Sequence, residues 1–128
     1  MQPIFRRYFS FDGRITRLEF WLRQIAIWPL LYVSIHIVSM FLGVNLNSAS
    51  QPDIQPSGKI ILSVIVVVYF WSAMCSQIQR LHDRNKSGWW FWIGVIPGIG
   101  EIYLLAESGF RRGTEGPNRF GPDPLAEK

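Results

Sequence analysis

Three groups of side chains in this sequence have the types and spacing to do chemistry. The densest is Arg80-Leu81-His82-Asp83-Arg84-Asn85-Lys86, followed by Trp89 and Trp90. At a membrane surface, Arg80, Arg84 and Lys86 could hold lipid phosphate while the two tryptophans anchor at headgroup depth. Asp83 could orient His82 as a base. The plainer reading is an orienting loop in which His82 and Asp83 are local caps. A second group is Arg14, Arg17 and Glu19. An Arg14–Asp83 or Glu19–Arg80 pair would clamp it to the first group; otherwise each side chain is solvated. The third is Glu101, an acid inside an apolar run, where ionisable groups are costly and mark function. With His36 it could form a proton relay; alone it is a hydrogen-bonded group near an interface. His36 and His82 are the only two histidines. A zinc site would therefore need carboxylates as well. No catalytic nucleophile, metal site or cofactor is expected.

The elements that would carry these residues are apolar and long. Hydrophobic residues make up 48% of the 128-residue chain and charged residues only 17%, against about 25% in soluble domains. All 13 Lys and Arg residues lie outside the apolar runs or at their edges. The net charge of +4 sits beside these runs, so orientation and anionic headgroups explain it better than nucleic acid does. Cys75 has no cysteine partner and reads as a packed thiol. No cleavable leader is expected from the arginine-rich, aromatic N-terminus.

Residues 1–15 place Ile4, Phe5, Tyr8 and Phe9 at helical spacing around Arg6 and Arg7, which predicts a short amphipathic interfacial helix. Asp12-Gly13 reads as a turn. Thr16 and Glu19 form a capping box, and a first transmembrane helix is expected over about 17–42. Its length of ~39 Å exceeds the ~30 Å hydrocarbon core. Its first turns should then sit in the interface, with Arg23 snorkelling to the headgroups. Pro29 is tolerable within a membrane helix. A polar loop follows, then a second helix over about 59–78. Its later half, with Ser72, Cys75, Ser76 and Gln77, should face other helices. Residues 79–88 read as a basic loop. Residues 89–106 read as a third helix, or as a re-entrant hairpin turning at Pro97-Gly98-Ile99-Gly100. Gly94-x-x-x-Gly98 fits close helix packing, within the chain or in a homo-oligomer or membrane partner; it could also only adjust a broken helix. The tail, 107–128, is rich in Gly and Pro and reads as irregular.

Positive residues mark the cytoplasmic side. Arg6, Arg7, Arg14, Arg17 and Arg23 put the N-terminus inside, and Arg80, Arg84 and Lys86 put the second loop inside. A full third crossing, the favoured form, would leave Arg111, Arg112 and Arg119 outside; a hairpin would keep them in.

Three patches carry a family resemblance. Phe11-Asp12-Gly13-Arg14-Ile15-Thr16-Arg17-Leu18-Glu19-Phe20-Trp21, Arg80-Leu81-His82-Asp83 with Ser87-Gly88-Trp89-Trp90, and Gly116-Pro117-Asn118-Arg119-Phe120-Gly121 resemble the motifs of a small bacterial inner-membrane family, domain of unknown function 805. That family often has two arginines before Leu-His-Asp, where this chain has Gln79-Arg80. The resemblance implies an inner-membrane location and no established activity. The expectation is an all-α integral membrane protein of a bacterial inner membrane. It is non-enzymatic and binds anionic phospholipid or a partner through Arg14, Arg17 and the Arg80–Trp90 segment. The alternatives are a proton- or ion-coupled transport subunit using Glu101 and His36, and an interfacial enzyme using His82 and Asp83.

Overall fold

The computed structural model describes residues 8–43 and 55–126. Ile4 to Arg7 of the expected interfacial helix, and most of the first loop, lie outside those residues. Two long helices dominate. α1 (Arg17–Phe41) is capped by Thr16, whose hydroxyl accepts from the Glu19 N–H. It continues through Pro29. α2 (Pro56–Asp83) opens on proline, whose missing N–H costs nothing in the first turn. Their 25 and 28 residues correspond to about 38 and 42 Å, and both helices are long and apolar enough to cross a membrane.

The pattern of burial departs from a soluble protein's: beside Phe20, Ile27 and Leu81, polar side chains are buried and most large apolar ones are exposed. Inside are Arg23 and Ser39 of α1, and Ser72, Cys75, Ser76, Gln79, Arg80 and Asp83 of α2. Outside are Leu22, Ile25, Trp28, Val64, Val67 and Phe70. A surface of that kind is stable only against hydrocarbon. Small polar residues at 72, 75 and 76 let the helices approach, as membrane helix pairs require. Ser34 and Tyr69 share a hydrogen bond of 2.9 Å across the pair. Arg23 does not snorkel as expected. It turns inward, 3% exposed, onto Glu19 at 2.6 Å and Gln79 at 2.8 Å.

α2 runs five residues beyond the expected end at Ile78, so the basic loop expected over 79–88 shrinks to a turn. The stop signal is Asn85, in left-handed geometry at φ 56°. Asn85 N–H returns to the His82 carbonyl and Lys86 N–H to Leu81, which closes the helix with a paired C-terminal cap. Charged residues before Asn85 could stay helical because partners from elsewhere in the chain satisfy them.

Of the two forms open for residues 89–106, the structure adopts the hairpin and not a continuous helix. A 3-10 helix (Gly88–Val95) leads to a turn at Pro97-Gly98. A short helix α3 (Ile99–Leu105) leads back into a π turn (Ala106–Phe110). The two arms touch where side chains are absent. A Cβ on Gly100 would collide with the Ile93 carbonyl, and one on Gly94 would lie 2.8 Å from Leu104. The expected Gly94–Gly98 packing pair is thus used within the chain: Gly94 admits the returning arm, and Gly98 supplies the turn at φ 76°. The hairpin leaves from Gly88, packed on Ile78 of α2. It returns at Ser108, bonded to Gln77 at 2.7 Å, and at Gly109, whose carbonyl accepts from Trp21 at 3.1 Å. Both ends therefore meet the same end of the α1–α2 pair. Trp92, Val95, Ile96, Ile99 and Ile102 point outward.

Candidate functional site

At that end of the molecule, Asp83 sits 3% exposed between two arginines. Arg14 Nε donates to Asp83 Oδ1 at 3.0 Å, and Arg80 pairs with Oδ2 from one turn earlier on α2. The Arg14–Asp83 clamp expected from the sequence therefore forms. The Glu19–Arg80 alternative does not, because Glu19 holds Arg23. Arg80 is wholly buried and donates also to the carbonyls of Ser108, Ile15 and Arg111. Arg14 donates to Thr114 at 2.6 Å, Gly116 at 2.8 Å and Gly121 at 3.3 Å. Each guanidinium spreads its donors over irregular backbone that has no ladder of its own. Backbone carbonyls removed from water must be paired, and here two arginines pair six carbonyls, those of Ile15 and Ser108 in buried residues. The π turn takes up 107–110 of the expected tail; beyond it the backbone is irregular, yet fixed in place.

The sides of the site are built the same way. Thr114 donates its N–H and hydroxyl to the Asp83 carbonyl. Gly113 passes so close to the Asp83 carboxylate that a Cβ there would collide with it. Asn118 Nδ2 reaches the His82 carbonyl at 2.9 Å, and Phe120 lies flat on the His82 ring at 3.9 Å between centroids. On the N-terminal side, Gln79 donates to the Ser10 carbonyl and Trp71 to that of Phe9. Asp123 accepts the N–H groups of Leu125 and Gly116, which hold its carboxyl below the ordinary aspartate value.

A second ionic group flanks the first. Glu107, 2% exposed, accepts from Lys86 at 2.9 Å and Arg84 at 3.1 Å and is ion-paired with Arg111 at 3.3 Å. Burial alone would raise its carboxyl; hydrogen bonds from Lys86 and Arg84 outweigh that and hold it below the ordinary value. Burial would lower Lys86, but its bonds to Tyr103 and Glu107 hold it above its ordinary value. Lys86 also lies 4.8 Å from the Trp90 ring and 5.1 Å from that of Tyr103.

Arg14, Arg80, Asp83, Arg84 and Lys86 are thus brought together, but their charges are turned on one another. Arg17, with one bond to the Phe110 carbonyl, and Trp89 remain exposed. Asp83 does not orient His82, because both its oxygens face arginines. Nor are Glu101 and His36 joined. His36 bonds to the Tyr32 carbonyl and lies tilted against the Tyr32 ring. Among the described residues, no hydrogen bond or ion pair links it to Glu101. Among the same residues, no three His, Cys, Asp or Glu side chains gather as metal ligands.

Position by position, the three sequence patches converge on this one site. Arg14 comes from the first, Arg80, His82 and Asp83 from the second, and Asn118 and Phe120 from the third. The family model "Protein of unknown function (DUF805)" matches residues 8–122. The chain belongs to this family. It is similar to the inner membrane protein YhaH of Escherichia coli K12, 28% identical over 97% of this chain and 94% of that one. It is also similar to the inner membrane protein YhaI of the same organism, 29% identical over 94% of this chain and 91% of that one. No solved structure matches. With the two apolar helices, these likenesses establish an all-helical integral protein of the bacterial inner membrane.

Glu107 and Thr114 had drawn no attention in the sequence. A signal was present for Glu107: it follows the last apolar run directly, where an acid needs a cation nearby.

Proposed function

We propose that the protein is a non-enzymatic, two-crossing membrane protein whose cytoplasmic end binds anionic phospholipid headgroups. The observation behind this reading is the hairpin, whose two ends meet the same end of the helix pair. The tail then lies on the side of Arg14 and the α2 C-terminus. Every arginine and lysine from Arg80 to Arg119 falls on one side, which satisfies the positive-inside bias. The binding cations are not those that the sequence favoured. Arg80, Arg84 and Lys86 are committed to internal partners, whereas Arg17, Arg112 and Arg119 present exposed side chains, as does Arg111, still 64% exposed beside its ion pair with Glu107. Arginines near anionic headgroups each contribute about 1 kcal/mol.

Two measurements test this. With Cys75→Ser and a single cysteine at Ala126, an impermeant thiol reagent should label only after the inner membrane is opened. Labelling of intact cells sinks the topology. Native mass spectrometry of the purified protein should show retained phosphatidylglycerol or cardiolipin, and Arg111→Gln with Arg112→Gln should strip most of it. Equal retention in the variant removes the lipid reading and leaves a protein partner as the occupant of this face.

A further inference from the structure

A second feature lies away from the ionic cluster. α1, α2 and the hairpin enclose an apolar cleft of about 520 Å³, lined by Trp21, Trp28, Phe70, Phe91 and Leu105, with Glu101 on its wall. It is of a size that holds a small ligand. Phe70, Trp28 and Leu105 are exposed, so the cleft opens laterally toward lipid. Glu101 lies on α3, eight residues before Gly109, which places it on the order of 10 Å inward from the end where Gly109 meets Trp21. Among the described residues its carboxylate makes no hydrogen bond or ion pair, although the acids Glu19, Asp83 and Glu107 all have cationic partners. An acid at that depth is stable when it is paired. The other lining side chains that carry polar atoms, Gln24, Gln77, Tyr69, Trp21 and Trp28, bear no charge, and none can neutralise it.

We propose that this cleft binds an amphipathic amine, its apolar body between Trp28 and Phe70 and its protonated nitrogen on the Glu101 carboxylate. The chemistry of the wall selects that class. A carboxylate attracts a cation and repels anionic lipid. Aromatic faces add favourable contact to a cation and to an alkyl chain alike. An ordinary acyl chain would fill the volume but leave Glu101 unpaired. This site is independent of the headgroup-binding face, which depends on exposed arginines.

The test uses the full-length protein in phosphatidylcholine nanodiscs and a long-chain primary amine bearing a diazirine. Light should crosslink the probe to cleft residues such as Trp28, Phe70 and Leu105. Excess dodecylamine should compete; excess dodecanol, with the same chain and no charge, should not. Glu101→Gln should reduce labelling by roughly tenfold or more, as expected when one member of a desolvated charge pair is removed. Ala73→Phe, which fills the cleft and leaves Glu101 in place, should reduce it comparably while thermal melting shows both variants folded. Equal labelling of the wild type and Glu101→Gln overturns the proposal, as does competition by dodecanol. A shift of Glu101→Gln from dimer to monomer, without amine-specific labelling in the wild type, also overturns it and assigns the cleft to a second copy.

Discussion

Arg80 and Asp83 lie three residues apart on α2 and pair with each other, yet each uses its remaining bonding capacity outside that helix. Arg80 reaches the π turn, the tail and Ile15; Asp83 reaches Arg14. The pair therefore ties the N-terminal segment, the hairpin exit and the tail to one helix end. Removing Asp83 strands two buried guanidinium groups, at a cost of about 3–5 kcal/mol. Asp83→Ala should lower the thermal midpoint in detergent strongly and expose the tail to protease. A midpoint within a degree of the wild type would contradict this role.

Arg80→Lys should be nearly as damaging, despite keeping the charge. A lysine has one point donor group and cannot reach Ser108, Ile15, Arg111 and Asp83 together. Tail proteolysis should rise in this variant, whereas Arg112→Lys, at an exposed position, should leave it unchanged.

Gly113→Ala places a Cβ into the Asp83 carboxylate, which two arginines hold and which cannot swing aside. Overpacking of this kind costs about 1–3 kcal/mol. The expected result is release of the tail with α1 and α2 intact, read as faster cleavage after residue 112 at unchanged helical circular dichroism. Gly100→Ala meets the Ile93 carbonyl instead and should loosen the hairpin, read as a shift in tryptophan emission.

The Glu107 group makes tail docking depend on pH in two directions. Glu107 is held below the ordinary glutamate value of 4.5, so its contribution is full above 4.5 and is lost as pH falls through the lower folded value. Lys86 is held above the ordinary 10.5, so its contribution is full below 10.5 and is lost as pH rises beyond that. Protection of the tail from protease should form a plateau between those limits. Glu107→Gln should flatten the acid limb; a limb unchanged in that variant would place the titrating group elsewhere.

Much of this architecture was legible from residues alone. Two long apolar runs are long enough to be membrane helices, and the small residues at 72, 75 and 76 marked the packed face. The end of α2 was not legible. The Arg14–Asp83 pair could be expected from charge and sidedness, but Arg80 looks like a loop residue until the carbonyls of Ser108 and Arg111 are seen around it, and no local pattern announces those backbone acceptors. Residues 89–106 had the right length for a crossing, and only the placement of Gly94, Pro97, Gly98 and Gly100 hinted at a return. The choice depends on whether bare backbone finds a close neighbour, as Gly100 does at Ile93.

The distance in sequence between Arg14 and its acceptors has a consequence for how the molecule is made. Thr114 lies 100 residues after Arg14, and at ~5–20 residues per second a ribosome needs on the order of ten seconds to supply it. Once Asp83 is made, α1 and α2 are complete, yet the first carbonyl that Arg14 binds, that of Thr114, is still 31 residues away. Closure of the polar cluster is thus one of the last events of synthesis. A nascent chain stalled before residue 114 would hold Arg14 on Asp83 alone, its three tail acceptors still unmade.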